Sequence, residues 1–382
     1  MSDAPTAHLV RGVHGIEAQA WDRLAPATNP FVRHGYLEAL EASHSAVPET
    51  GWAPLPVVLG EVTAPAAIAP AYVKSHSAGE YVFDHGWAHA YERAGGRYYP
   101  KLQVAVPFTP VPGPRLLAAD DTARTNLIKG LEAAAERLDV SSVHVTFCTA
   151  AEAALFAAAG WGIRHGVQYH WTDQGYGDFE GFLEALKSSK RKAMRKERRK
   201  VQASGIEVVV HRGAAITPAD MEAFYPFYLA TVEKRTWGQG YLKRSFFRLL
   251  AERLGDALVL VLAYQDGRCV AGAMHLVGGD TLYGRLWGAL EDFKFLHFEL
   301  CYYQAIDLAL AWGLRRIEAG AQGEHKLQRG YAPARTYSAH LIRDPALRTP
   351  VEAFLARERA QIEAEWPLLE SYLPYRTTAG DG

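Results

Sequence analysis

Residues 296–333 read LHFELCYYQAIDLALAWGLRRIEAGAQGEHKLQRGYAP. Apolar residues recur at helical spacing as far as Trp312, Gly313 supplies a stop, and LRRIEAGA follows as a short strand. The strand opens into a loop where Gln322, Glu324, His325, Lys326 and Arg329 crowd among Gly320, Gly323 and Gly330. A helix of this size between strands fits a crossover that joins parallel partners, so the stretch predicts a mixed α/β sheet. A polar loop spaced by glycines at the carboxyl end of a strand is a candidate binding site. The plain alternative is a helix-capping turn with solvated charges.

A second stretch has the same pattern. Residues 126–161, NLIKGLEAAAERLDVSSVHVTFCTAAEAALFAAAGW, give helix, strand, polar loop, helix and a Gly-aromatic end, which suggests a duplicated unit. The first copy carries Thr149, Ala150 and Ala151 where the second carries Gln322, Gly323 and Glu324, so the ionisable cluster exists only in the second. With 382 residues, the chain is long enough for two domains. The Gly-rich break TDQGYGDFEG sets the expected division into 1–178 and 179–382, with the site in the second domain.

Composition narrows the class. Hydrophobic residues make up 49% and charged residues 22%, as in an ordinary globular protein. No signal-peptide pattern opens the sequence and no apolar run reaches the roughly 18 residues of a membrane span, so a cytoplasmic protein is expected. Cys148, Cys269 and Cys301 lie in apolar segments without metal-ligand spacing and read as reduced core residues, with no metal site expected.

The net charge of −1 conceals a local concentration. Residues 187–200, KSSKRKAMRKERRK, carry nine cations and one acid, Glu197. A helical wheel gathers Phe182, Leu183, Leu186, Ala193, Met194 and Val201 into one sector of about 120° and leaves seven of the cations outside it. Either this face is simply solvated, or an anionic ligand (RNA phosphate, a pyrophosphate-linked substrate or a membrane surface) offsets the repulsion. Lys190, Arg191, Arg195, Arg198 and Arg199 are the candidate anion contacts.

The first half also contains EYVFDHGWAHAYERAGGRYYPKL, where Asp84 and His85 are candidate pocket residues among aromatics that could equally be packed core. In the second half a helix beginning at Pro218 is followed by a further helix and a three-stranded meander, with turns at Asp266-Gly267 and Gly279-Asp280.

Helix, antiparallel meander, crossover helix and parallel strand, in that order, resemble a GNAT acyltransferase unit. Two such units, the second opened by SSKRKAMRKERRKVQASGIEV and carrying the 296–340 stretch, resemble the FemAB-like predicted N-acyltransferases, relatives of the Fem peptidoglycan aminoacyltransferases. The resemblance implies an α/β (α+β mixed sheet) fold of two tandem GNAT-like domains with a cleft between them. It also implies transfer of an acyl group to an amine of a small molecule or peptide. The donor would be a co-substrate, aminoacyl-tRNA or acyl-CoA, with no tightly bound cofactor. The chain lacks the Gln/Arg-x-x-Gly-x-Gly/Ala loop of CoA-dependent GNAT enzymes, a departure that favours aminoacyl-tRNA, contacted by the basic helix. Peripheral membrane contact through the same helix is a further expectation. The Lys and Phe/Tyr-Gly turn of Fem-like sequences corresponds to Lys326 and Arg329-Gly330-Tyr331, with glycine and aromatic in inverted order.

Acyl transfer needs a polarised carbonyl and an acceptor for the amine's proton. Lys326 is a candidate for the first task, or a salt-bridge partner of Glu318 or Glu324. Glu324 or His325 is a candidate for the second, with His325 alternatively a helix cap. Glu318, Gln322, Arg329, Trp287, Trp237, His297 and Arg285 complete the candidate substrate-binding set.

Overall fold

Among the described residues two strand pairs run parallel, and each is bridged by a helix. The computed structural model describes residues 7–233, 240–320 and 323–376; Trp237, Gln322 and the side chains of Glu233 and Glu324 lie outside the described residues. The first half runs β1 (Ala7–Leu9), α1 (Ala18–Asp22), α2 (His34–Ala42), β2 (Trp52–Pro54), β3 (Val57–Glu61), β4 (Ala64–Ala69), β5 (Ala71–Lys74), α3 (His85–Arg93) and β6 (Lys101–Val104). It continues with β7 (Leu117–Ala118), α4 (Asp121–Arg137), β8 (Ser142–Cys148), α5 (Ala150–Ala158) and β9 (Gly162–Thr172). The second half contains α6 (Phe179–Glu184), α7 (Ser188–Gln202), β10 (Glu207–Arg212), α8 (Pro218–Glu233), α9 (Arg244–Leu254), β11 (Leu258–Gln265), β12 (Arg268–Gly278) and β13 (Thr281–Ala289). A crossover helix follows, made of α10 (Leu296–Phe298), a π turn (Glu299–Tyr303) and α11 (Gln304–Ala311). The chain then forms β14 (Arg316–Glu318), a 3-10 turn (Glu324–Arg329), β15 (Ala332–Ile342) and α12 (Pro345–Ser371). Among the described residues no helix is long and apolar enough to cross a membrane.

The division into units differs from the expected break at 178. One unit comprises Met1–Val167 with Arg335–Ala364, and the other Gln168–Ala334 with Glu365–Gly382. β15 pairs antiparallel with β8 and so returns the chain to the first unit. Loop composition marks where a chain is free to turn, but a long-range pairing of this kind leaves no local signal.

In the first unit, β1, β3, β4 and β7 form one antiparallel sheet, and β2, β5, β6, β8 and β15 lie in order in a second. β6 and β8 are the parallel pair, with Leu102 opposite Val143 and Val104 opposite Val145. These four side chains and Leu127, Ile128 and Leu131 of α4 share one buried core. Because side chains alternate along a strand, Lys101, Gln103, Ser142 and His144 fall on the other face, where they are also buried. Lys101 Nζ donates to Ser77 Oγ and Glu80 Oε2, both at 2.8 Å, and to Asp84, which also accepts from the Tyr98 hydroxyl at 2.7 Å. Charged groups this deep persist because they pair with one another.

In the second unit the strand order is β10-β11-β12-β13-β14-β9, antiparallel except for β13 and β14. Val261, Ala263, Ala271, Ala273 and Ala289 of the meander share a core with Leu296 and Leu300 of the crossover helix and Val201 of α7.

The basic segment is not one helix with the expected phase. α6 ends at Glu184 and α7 starts at Ser188, with Lys187 between them at φ −56°, ψ 140°. This break uncouples Phe182, Leu183 and Leu186 from the wheel of α7. The inward stripe of α7 is consequently Lys190, Met194, Glu197, Arg198 and Val201, while Ala193, expected inside, is exposed.

Candidate active site

The β13–β14 ladder contains three residue pairs and ends at Tyr283 opposite Glu318. β13 runs on to Ala289 without β14 beside it, so the two strands part where their carboxyl ends begin. The register against β12 also jumps here: Met274 faces Leu286 and His275 faces Gly284, leaving Arg285 as the extra residue of a bulge. Bulges re-aim a side chain and break a ladder, and this one coincides with the end of the parallel pairing.

Strand alternation puts Ile317 in the core and Glu318 on the opposite face. Glu318 shares that face with its cross-strand partners, Tyr283 on β13 and His170 on β9. Glu318 is 4% exposed; Oε1 lies 3.5 Å from Arg316 Nε, and Oε2 has no hydrogen-bond partner among the described residues. Burial pushes the Glu318 pKa up to about 7 against the opposing pull of Arg316 and Arg285. His170 is pushed down to about 3 by burial, with Arg316 and Lys326 adding to the shift, so it is a neutral imidazole beside the carboxyl; its Nε2 lies 3.2 Å from Gln168 Oε1. Sequence reading missed His170. The alternation of Gln168, His170 and Thr172 with Val167, Tyr169 and Trp171 shows a polar face, but only the pairing with β14 shows what that face meets.

Beyond β14, the 3-10 turn carries Lys326 into the protein, where it is 1% exposed and Nζ donates to the Gly320 carbonyl at 2.7 Å. Burial lowers its pKa to about 8; Cys301 opposes the shift and Arg285 adds to it. Glycines at both ends allow this tight turn: Gly323 has φ 111° and Gly330 φ 85°, in the left-handed half of the map. His325, the neighbouring residue, is exposed, and its Nε2 lies 2.8 Å from the Tyr302 hydroxyl. Its ring stands against those of His297, 5.9 Å away between centroids, and Phe298, 5.8 Å away. Trp287 approaches His297 at 5.1 Å, so Trp287, His297 and His325 form an aromatic contact with the start of the crossover helix.

The remaining expected residues divide by their partners. Arg329 is buried and bonded within the protein, to Glu197, the Tyr303 hydroxyl and the His325 carbonyl. Asp84 belongs to the buried Lys101 network of the first unit, and His85 is exposed and stacked on Phe83. In the basic segment Lys190 donates to Gln328, Arg195 to Glu180, and Arg198 to Glu299 and Asp307. Lys192, Lys196 and Arg199 are exposed on the outward face of α7, and Arg191 is half-buried. Gln322 and Trp237 lie outside the described residues, as does the side chain of Glu324.

A buried carboxylic acid titrating near neutrality and a buried lysine of lowered pKa thus lie near the opening of a parallel strand pair, where a helix begins. A family model for peptidoglycan biosynthesis/recognition matches residues 12–377. The chain belongs to the FemAB-like family. Among solved structures, FemX is similar to this FemAB-like protein with a TM-score of 0.55 and 11% identity, covering 88% of this chain and 98% of FemX. A conserved protein of unknown function from Bacteroides thetaiotaomicron VPI-5482 gives a TM-score of 0.51 at 12% identity over 85% of this chain and 98% of its own. A tandem GNAT protein from the clavulanic acid biosynthesis pathway covers 89% of this chain and 99% of its own, with a TM-score of 0.45 and 13% identity. At these identities the FemX and Bacteroides likenesses establish a shared fold. No curated protein sequence matches this FemAB-like chain.

Proposed function

We propose that this FemAB-like protein is an N-acyltransferase that moves an acyl or aminoacyl group onto an amine of a peptidoglycan-related acceptor. The observation that carries the reading is that the β13–β14 ladder ends at Glu318 and that Glu318 and, on the turn that follows β14, Lys326 are both buried. In the proposed reaction the acceptor amine attacks the donor's carbonyl carbon. Its proton passes to Glu318, whose pKa of about 7 suits a base at neutral pH, and the leaving oxygen or sulfur departs with the donor's carrier. Lys326 turns from the Gly320 carbonyl to the developing oxyanion.

The donor that best fits this reading is an aminoacyl-tRNA, with acyl-CoA second. The outward cations of α7 form a line suited to a phosphate backbone, and the sequence has no glycine loop at the start of the crossover helix for a pyrophosphate. The test is to incubate the purified protein with a peptidoglycan-precursor extract and either aminoacyl-tRNA or acyl-CoA, then search by mass spectrometry for an acylated acceptor. Product formation that disappears in Lys326→Ala supports the reading; no product from either donor refutes it. Retention of tRNA on α7 without any product would instead assign the protein to recognition.

A further inference from the structure

Glu197 is the one acid among the nine cations of residues 187–200, and it belongs to the inward stripe of α7. Its Oε2 accepts from Arg329 Nη2 at 3.0 Å and from the Tyr303 hydroxyl. Arg329 in turn donates from Nη1 to the His325 carbonyl at 3.1 Å and from Nε to the Tyr303 hydroxyl at 3.2 Å, while its guanidinium lies 3.4 Å from the centre of the Phe298 ring. Two helical turns earlier on α7, Lys190 donates to the Gln328 side chain. α7 therefore holds the 3-10 turn through residues 328 and 329, Arg329 ties back to the carbonyl of residue 325, and Lys326 lies between these ties. The Lys326 backbone is fixed as well, its N–H bonding the Gly323 carbonyl at 3.1 Å and its carbonyl accepting from the Tyr331 N–H at 3.2 Å.

We infer that Glu197 is a positioning residue: through Arg329 and Tyr303 it holds the 324–329 turn closed and so keeps Lys326 buried on the Gly320 carbonyl. The reason is electrostatic. Arg329 is 7% exposed, and Glu197 is the acid at salt-bridge distance from it among the described residues. Without that charge, a buried guanidinium is left uncompensated, and its long stem allows it to move to water. Such a movement releases the His325 carbonyl, opens the turn and rehydrates Lys326. The structural part of the inference stands without the proposed chemistry; its catalytic consequence rests on the role proposed for Lys326.

The two parts separate experimentally. Competitive labelling with acetic anhydride across pH, read on the Lys326 peptide by mass spectrometry, follows this lysine's titration in the full chain without any substrate. In the wild type the midpoint is expected near 8. In Glu197→Gln it is expected to rise by a unit or more towards about 10.4, the value of a hydrated lysine. A purely electrostatic influence of Glu197 gives the opposite sign, because losing a negative charge lowers a nearby lysine's pKa. A midpoint that falls or stays fixed in folded Glu197→Gln overturns the inference. Lys192→Gln, a charge change of the same size and opposite sign on the outward face, is the control and leaves the midpoint in place. Should Glu197→Gln fail to fold, Tyr303→Phe decides: a smaller rise supports the clamp, and an unmoved midpoint rejects it. A raised midpoint in a protein that shows no transfer with any donor leaves the clamp standing and removes the transferase reading.

Discussion

Glu318 stands directly opposite His170 across the antiparallel β14–β9 ladder, and both side chains project from the same face. The imidazole is neutral at any physiological pH, since burial first, then Arg316 and Lys326, hold its pKa near 3. The carboxyl therefore faces a polar but uncharged neighbour on β9, and burial can raise its pKa to about 7. If Glu318 is the base, its ionised form is the active one, so kcat rises with pH through about 7. Glu318→Gln is expected to remove that acidic limb and to lower kcat by roughly 10²–10⁴-fold. A Gln variant that retains both rate and limb excludes Glu318 as the base.

In the proposed reaction Lys326 sets the other limb. If it polarises the carbonyl as the ammonium, the rate is expected to fall as pH rises through about 8, giving a narrow maximum between the two groups. Lys326→Ala is expected to cost on the order of 10²–10³-fold in kcat, the usual loss for one oxyanion donor. Circular dichroism should show the fold unchanged, because among the described residues the lysine's side chain hydrogen-bonds to a single carbonyl, that of Gly320. Acceptor KM that rises while kcat holds would mark Lys326 as a binding residue instead.

The sequence shows its topology most clearly where a local rule and the tertiary structure agree. The crossover helix and β14 are legible because apolar periodicity runs up to Gly313 and the glycine ends the helix in the left-handed region, φ 65°. The duplicated parallel pair follows from the same pattern in residues 126–161. Legibility ends where a contact joins distant segments. Glu318 was visible as a strand residue, but His170 comes to it across nearly 150 positions, and polar alternation in β9 does not name its partner. Arg329 looked like a ligand-binding cation because its sequence neighbours are ionisable; its charge is instead met by Glu197 from α7, 132 positions away. A helical wheel drawn through residues 182–201 misses the phase of α7 because the break at Lys187 is a backbone turn without glycine or proline to announce it.

Gly288 lies where α8 presses its backbone on β13. A Cβ at this position would stand 1.8 Å from the Phe227 carbonyl oxygen and 2.3 Å from its carbon, both main-chain atoms that cannot swing aside. Gly288→Ala is therefore expected to destabilise the protein by about 1–3 kcal/mol through overpacking. Differential scanning calorimetry should detect a fall in the transition, and an unchanged transition would mean that α8 moves away without strain.

Acid should destabilise the first unit through His144 and His340, whose Nδ1 atoms lie 2.7 Å apart in its core. Burial lowers the His144 pKa to about 3 and holds His340 well below its ordinary value, so both are neutral when folded. Unfolded, each takes up a proton below about 6.5. The unfolded state then binds more protons, and stability falls as pH drops from 6.5 towards 4, at up to about 1.4 kcal/mol per pH unit for each histidine. Glu80, raised to about 7 mainly by burial, opposes this over pH 4.5–7, since its folded form holds the proton. With two groups against one, the expected result is a urea midpoint that declines with acidification and a shallower decline in His340→Gln. A midpoint independent of pH between 6.5 and 4.5 would contradict the neutral pair.

The outward face of α7 gives a prediction that separates phosphate contact from a merely solvated surface. Lys192, Lys196 and Arg199 are exposed there, while Lys190 and Arg198 are engaged inward with Gln328 and with Glu299 and Asp307. Changing the three exposed residues to Glu should leave the inward ties and the melting temperature nearly unaffected, since single exposed charges contribute little to stability. If tRNA lies along this face, its affinity should fall sharply and the slope of log Kd against log salt should lose about 0.7–0.9 per lost contact. Changing Lys190 and Arg198 instead should lower stability first, because Arg198 compensates the buried Glu299. Equal tRNA affinity and equal salt slopes in the wild type and the triple variant would show that α7 is solvated, and the donor would then have to be held elsewhere.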